Sequence, residues 1–350
     1  MCIPFSSKIQ QRSLFMTGLR HKKTEAVEPM ITIFRRVLFA AIISAALSLS
    51  VGLAYSDQKN EDLAATIEEN LKAGRIPEAE TQAQKFLQQA REKYRENDKQ
   101  TLHAKLLLAN VYREAGKFDE AAALIQSCLA ANEKAFGPDD PSLVEPLAAL
   151  GMLMQVQNKL PEAESAFRRA LAIDAKKPST NRMPIIELKE SLALIRAGEG
   201  DLAESTQLLE QVLAERERAA GANSEEYATT LNNLASIYAQ QERYDEAIIL
   251  QEKALRVLKD AVGQDNLTNA LFSQNMAGFL LLAGKKNEAE QALASVPALL
   301  EKHLGPTHPA LSEVLLELAE LNEQLGNSAK AKELQKRATE VQAAANKKGQ

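Results

Sequence analysis

The sequence predicts an all-α protein built as an elongated solenoid of helical hairpins. Two observations carry that prediction. Gly74, Gly116, Asn158, Gly200, Glu242, Gly284 and Gly326 stand 42 residues apart, six intervals in a row without a slip. Five residues after each comes a small side chain: Ala79, Ala121, Ala163, Ser205, Ala247, Ala289 and Ala331. A fixed period of this size marks stacked supersecondary units that bury their flanks on their neighbours. Composition agrees. Of 350 residues, 45% are hydrophobic and 5% aromatic, with no Trp. Ala, Leu, Glu, Gln and Lys dominate, which suits long helices.

The N-terminus is a separate object. Met30-Ile-Thr-Ile-Phe-Arg-Arg36 is a short basic start, and Val37 to Ala54 is an apolar run interrupted only by Ser44, Ser48, Ser50 and Gly52. Small residues then occupy −3 and −1 of two candidate cleavage sites, after Ala54 and after Ser56. Residues 30–56 therefore read as a secretory signal peptide, with residues 37–54 an inner-membrane anchor if cleavage does not occur. No Cys lies at the junction to hold a lipid. Residues 1–29 are mixed in character and read as an over-extended start, with Met30 the alternative initiator. The expected location is the bacterial periplasm or the outside of the cell.

Residues 1–56 carry seven Lys/Arg against two Asp/Glu. The remainder has 35 basic and 45 acidic residues, a net charge of −10. An acidic body argues against nucleic acid as a ligand, because phosphate binding needs a basic stripe. Cys2 falls in the leader, so an exported product keeps only Cys128 and no internal disulfide.

Within the period, Leu231, Leu234, Ala235 and Tyr238 recur at helical spacing. Tyr244, Ala247, Ile248, Leu250, Ala254 and Leu255 mark a second helix. Seven residues before each turn marker stand Ile67, Ala109, Gly151, Ala193, Ala235, Ala277 and Ala319. The second helix repeats the device with Phe86, Cys128, Ala170, Val212, Ala254, Val296 and Ala338. Mostly small residues let helix axes approach closely. Cys128 accordingly reads as a packing residue.

This pattern resembles the tetratricopeptide repeat family across residues 60–345, with residues 346–350 as a disordered tail. It includes the family's aromatic position (Tyr112, Tyr238) and its turn Gly. The long period is similar to the kinesin light chain type, whose hairpins are joined by a Gly-Pro-Asp-His-Pro-like loop. Here that place reads Gly137-Pro-Asp-Asp-Pro141 and Gly305-Pro-Thr-His-Pro309, while Gly221 and Gly263 keep the glycine alone. HEAT-type repeats reach this length too, but the phasing of turn and small residue fits tetratricopeptide units better. The resemblance implies a right-handed superhelix of about seven repeats. In the loops, Gly is expected to end the second helix in a left-handed cap and Pro to open the next helix. Asp140 is the expected N-cap there, and His308 a poorer one.

Several copies depart from the rule. The loop Lys176-Lys-Pro-Ser-Thr-Asn181 lacks its Gly, and Pro184 falls one place late. Pro146 is expected to kink the first helix of the third copy, and Pro297 to bend the second helix of the sixth. The first copy is degenerate (Ile67, Asn70) and reads as a cap. The polar tail from Ala343 is expected to fray.

Nothing in the sequence carries chemistry. It holds no Gly-rich phosphate loop, no paired His on one helix face and no Cys pair. His103 is isolated, and His303 and His308 lack ligand spacing, so no metal and no cofactor are expected. Glu78, Glu120, Glu162, Glu204, Glu246 and Glu288 recur in register and meet the positive end of each second helix. The expectation is a non-catalytic scaffold that binds proteins or peptides. The resemblance places that binding in a concave groove lined by the first helices, at His103, Asn110, Arg113, Asn232, Asn233, Ser236, Gln240, Gln274 and Asn275. Two alternatives stay open: self-association through the repeat ends, and a cytosolic kinesin-light-chain-like cargo adaptor. Asn266-Leu-Thr268 would be a glycan acceptor only in a eukaryotic secretory route.

Overall fold

A computed structural model describes residues 58–178 and 182–348. The leader and signal segment expected over residues 1–56 lie outside the described residues. The chain forms seven consecutive helical hairpins, with no strand among the described residues. They are α1 (Gln58–Lys72) with α2 (Ile76–Lys93), α3 (Lys99–Glu114) with α4 (Phe118–Phe136), and α5 (Val144–Val156) with α6 (Leu160–Lys176). Then follow α7 (Met183–Gly198) with α8 (Leu202–Ala220), and α9 (Glu225–Gln240) with α10 (Tyr244–Val262). In the sixth hairpin α11 (Leu267–Leu282) pairs with a broken arm, α12 (Lys286–Leu293) and α13 (Val296–Leu304). The seventh pairs α14 (Pro309–Gln324) with α15 (Ser328–Lys348).

All seven turn markers adopt positive φ, from 59° at Asn158 to 88° at Gly200. Each sits at the heart of the same hydrogen-bond pair. In the first turn, Gly74 N donates to Leu71 O at 3.0 Å and Arg75 N to Asn70 O at 2.8 Å. Both bonds recur in every hairpin, for instance Glu242 N to Ala239 O at 3.1 Å and Arg243 N to Tyr238 O at 2.9 Å. This double closure satisfies carbonyls that the helix end would leave bare, and it requires a left-handed residue at its centre. Five copies supply Gly. Asn158 tolerates the conformation, whereas Glu242 (φ 61°) carries a Cβ that disfavours it.

The loops between hairpins use glycine differently from expectation. Gly137 has φ 93° and ψ 170°, and Gly221, Gly263 and Gly305 are alike. The φ is positive, but ψ is extended. The chain therefore leaves each helix along a direction that only Gly reaches, not through a left-handed cap. Without Gly, the third loop turns through Lys177 at φ −144° and ψ 88°. The next first arm is then capped by a side chain. Asp140 accepts from Ser142 N at 3.0 Å, and His308 Nδ1 accepts from Ala310 N at a longer 3.3 Å. Ser224 and Asn266 cap α9 and α11 in the same way.

Proline explains the remaining irregularities. Pro297 breaks the sixth second arm into α12 and α13, as expected. Pro146 does not kink its helix. A 3-10 turn over Pro141–Leu143 precedes α5, so Pro146 falls in the first turn, where no intrahelical acceptor awaits its missing amide. At the other end, α15 stays helical through Lys348, into the stretch read as a tail.

The packing positions are closed. Ala79, Ala121, Ala163, Ser205, Ala247, Ala289 and Ala331 are all 0% exposed. Gly151 is needed as glycine, because a Cβ there would meet the Phe167 ring at 2.2 Å. Burial of Cys128 raises its thiol pKa to about 11, which suits an inert packing residue. First and second arms differ in environment. Eleven of the 16 residues of α9 are buried, against five of the 19 residues of α10. The first arms thus form an inner layer, touched by second arms and by each other, and the second arms form an amphipathic outer layer. Exposed ion pairs, such as Arg169–Glu133 at 2.6 Å and Arg337–Glu301 at 2.6 Å, link consecutive second arms. At such exposure each contributes about 0–1 kcal/mol.

Replacing Glu242 with Gly should stabilise the chain by about 0.5–1 kcal/mol, the left-handed penalty less the added freedom of the unfolded glycine. Chemical denaturation checks this, and an unchanged or lowered midpoint would contradict it.

Candidate binding groove

The inner layer presents the residues that sequence reasoning singled out, but it does not leave them equally free. Asn232 is 1% exposed, and its Oδ1 accepts from Gln251 Nε2 at 2.9 Å and from Asn275 Nδ2 at 2.8 Å. Asn233 Nδ2 donates to Glu190 Oε1 at 3.1 Å, and Ser236 Oγ donates to the Asn232 carbonyl at 3.0 Å. Asn232, Asn233, Ser236 and Asn275 are therefore buried, and their bonds tie α7, α9, α10 and α11 together. His103 is also buried, edge-on to the Phe86 ring with centroids 5.9 Å apart. Arg113 is buried and pairs with Glu114 at 2.7 Å. Asn110, Gln240 and Gln274 remain partly exposed.

The reason is geometric. Helical periodicity alone does not separate open space from a neighbouring arm: Asn232 meets its own second arm through Gln251 and the next first arm through Asn275, and Asn233 meets the preceding first arm through Glu190. Where the neighbour arrives with a matching amide, as Asn275 does for Asn232, the two side chains close on each other.

A hub that sequence reasoning missed lies next to them. Glu190 is 2% exposed on α7. Its carboxylate meets Arg216 Nη2 of α8 at 2.7 Å and accepts from Thr230 Oγ1 at 3.2 Å as well as from Asn233. Arg216 also donates to the Glu226 carbonyl. One buried acid thus gathers three donors from two elements, α8 and α9, which offsets the cost of removing its charge from water. The available signal was faint: two glutamates, Glu187 and Glu190, on a helix otherwise rich in Ile, Leu and Ala.

Two concavities lie between neighbouring arms. An open hollow of about 410 Å³ lies between α2 and α3, beside Gln84, Gln88, Arg91, Leu108 and Tyr112. A tighter pocket of about 30 Å³ lies between α3 and α5, walled by Leu106, Ala149 and Leu153 and edged by Asn110, Arg113 and Glu145. The Oδ1 of Asn110 is buried without a hydrogen-bond partner. Burial pushes the Glu145 carboxyl up to about 7, with Lys99 only partly opposing the shift. Burial also lowers His103 to about 4. Among the described residues no group of three or more His, Cys, Asp or Glu side chains could hold a metal. The recurring acids Glu78, Glu120, Glu162, Glu204, Glu246 and Glu288 all lie in first turns of second arms, beside the positive helix end. No helix among the described residues is long and apolar enough to cross a membrane.

The two shifted groups give opposite pH signatures. Folded Glu145 holds its proton more tightly than an ordinary carboxyl at 4.5, so it costs stability progressively as pH rises from about 4.5 to about 7. His103 holds its proton less tightly than an ordinary imidazole at 6.5, so its cost appears as pH falls from about 6.5 to about 4. Glu145→Gln should gain on the parent between pH 5 and 8, by at most ~3 kcal/mol. Denaturation curves at both pH values check this, and a constant difference would contradict it.

Comparison with known proteins agrees with the fold. Tetratricopeptide repeat family models match residues 100–176 and 185–260, and a second model of that description matches residues 312–344. Among curated proteins none matches in sequence. BtubC (BKLC) from P. vanneervenii superposes with a TM-score of 0.54 at 22% identity, over 70% of this chain and 92% of its own. Repeats of a kinesin-light-chain-like protein from Podosopora anserina superpose at 0.51 and 22%, over 58% of this chain and 96% of theirs. NprR, in complex with its cognate peptide NprX, superposes at 0.52 and 13%, over 83% and 84%. At these identities the likeness is one of fold. Together the matched repeats cover more than half of the residues, and the chain belongs to the tetratricopeptide repeat family.

Proposed function

We propose that this protein is an exported, non-catalytic scaffold that holds an extended segment of a partner polypeptide along its inner layer. The observation that carries the reading is the division into two layers. The outer arms are amphipathic helices with ordinary solvated faces. The inner arms form a continuous surface on which Asn110, Gln240 and Gln274 keep partly exposed polar groups. Side-chain amides both donate and accept, so they can satisfy an extended backbone with little regard to its side chains. Affinity then comes from many modest contacts in series. NprR binds its cognate peptide on a similar fold, which supports the reading by analogy alone. Export rests on the leader at residues 30–56, and the net charge of −10 beyond it disfavours nucleic acid as partner.

Selection from a random dodecapeptide display library tests the groove. Enriched peptides should compete with one another, and Gln240→Lys with Gln274→Lys should weaken them about tenfold or more. Failure to enrich any peptide, or enriched peptides indifferent to both substitutions, would count against the reading. The intact mass of the chain recovered from cells reports export: the expected N-terminus is Tyr55 or Asp57.

A further inference from the structure

Seven large hydrophobic side chains are exposed among the described residues, and four of them, Phe136, Val262, Leu267 and Leu304, lie at one edge of the solenoid. It is the edge where each second arm ends and the next first arm begins. Phe136, Val262 and Leu304 occupy one position of the 42-residue period, directly before the exit Gly. Tyr94, Pro178 and Ala220 fill that position in the first, third and fourth copies, so six copies in succession are apolar or aromatic there. Single exposed hydrophobics need no account, but a row that recurs on one edge is a surface. The row is continuous where Lys302 and His303 of α13 both reach Asp265 in the preceding loop, the latter at 2.9 Å. These contacts bring the loop between Val262 and Leu267 against the end of α13 that carries Leu304. Acids next to the row are met within the fold. Glu133 pairs with Arg169, Asp139 with Lys176 and Glu301 with Arg337, each at 2.6 Å.

We propose that this edge rests on a lipid bilayer, with Phe136, Val262, Leu267 and Leu304 entering the headgroup region while the inner layer stays open to partners. Two observations choose lipid as the occupant. The first concerns where the chain arrives. First arms begin at this edge, so α1 starts there at Gln58. Only Tyr55, Ser56 and Asp57 separate Gln58 from the apolar run at residues 37–54, a reach of at most about 14 Å. A run that ends in a membrane therefore delivers the fold with this edge foremost. The opposite edge, which carries the hairpin turns, lies a helix length away, about 22 Å for the 15 residues of α1. The second observation is the spacing of the row. Its members stand one hairpin or more apart, with paired charges between them. A bilayer interface takes apolar side chains at any spacing, whereas a protein partner would need a matching pocket for each. The paired acids add little net charge that must lose water. The inference rests on the leader reading and is independent of the groove reading, because edge and inner layer are different surfaces.

The test uses the full chain, recovered from the cells that make it, with Cys2→Ser to remove one thiol and the buried Cys128 left in place. Single cysteines carry an environment-sensitive dye at four exposed sites. Phe136→Cys and Leu304→Cys report the edge, Val156→Cys the hairpin-turn edge and Ile249→Cys the outer face. Vesicles of phosphatidylethanolamine and phosphatidylglycerol are added, with acyl chains brominated or not. Brominated lipid should quench the dyes at Phe136→Cys and Leu304→Cys and leave the other two bright. Val262→Glu with Leu267→Glu should lower the quenched fraction at Leu304→Cys about tenfold. Absence of quenching at the edge, or equal quenching at all four sites, would overturn the inference. Edge dyes shielded from aqueous iodide before any vesicle is added would also overturn it, since a protein surface or a second copy would then cover the row. None of these outcomes touches the groove, and the intact mass reports export separately.

Discussion

The structure depends on one backbone constraint, repeated seven times. Each hairpin turns through a residue of positive φ, closed by the same two amide-to-carbonyl bonds. The turn fixes where the second arm starts, and a small buried residue five places later fixes how near it lies. Each hairpin leaves its turn in the same phase, so each offers its neighbour the same flank. Stacking then follows from burial of that flank, with no long-range contact to arrange.

On this frame the inner layer is not uniform. Around hairpins four to six polar side chains bond to one another across the arms: Glu190 with Arg216, Thr230 and Asn233, and Asn232 with Gln251 and Asn275. Such a network strengthens in low dielectric and is costly when broken, so it locks the relative placement of those hairpins. Around hairpins two and three, Asn110 and Glu145 border a small pocket.

How much was legible in the sequence follows from which forces are local. The turns could be placed even at Asn158 and Glu242, where no Gly marks them, because the period supplied what the residue type did not. Pro297 was readable because a ring deep in a helix has one consequence. Pro146 was misread because the 3-10 turn ahead of it shifted the helix start, and such boundaries depend on a few hydrogen bonds. The conformation at Gly137 was misread because positive φ is common to two kinds of helix exit that differ only in ψ. The groove residues were the hardest. Periodicity places Asn232 off the apolar stripe of α9, but only three dimensions show that Gln251 and Asn275 close on it. Glu190 escaped notice because a buried acid and a solvated one look alike until their partners are placed.

Phase is the central claim, and deletion measures it directly. Removing residues 117–158 excises 42 residues and joins Gly116 to Lys159, so that α3 pairs with α6 in the original register. Removing residues 117–156 instead excises 40 residues and shifts the register by two residues, about 200° around the helix, which turns the buried flank outward. Thermal unfolding followed by circular dichroism should show a cooperative transition and parental helicity per residue for the first deletion, and loss of both for the second. Equal behaviour of the two would contradict the account.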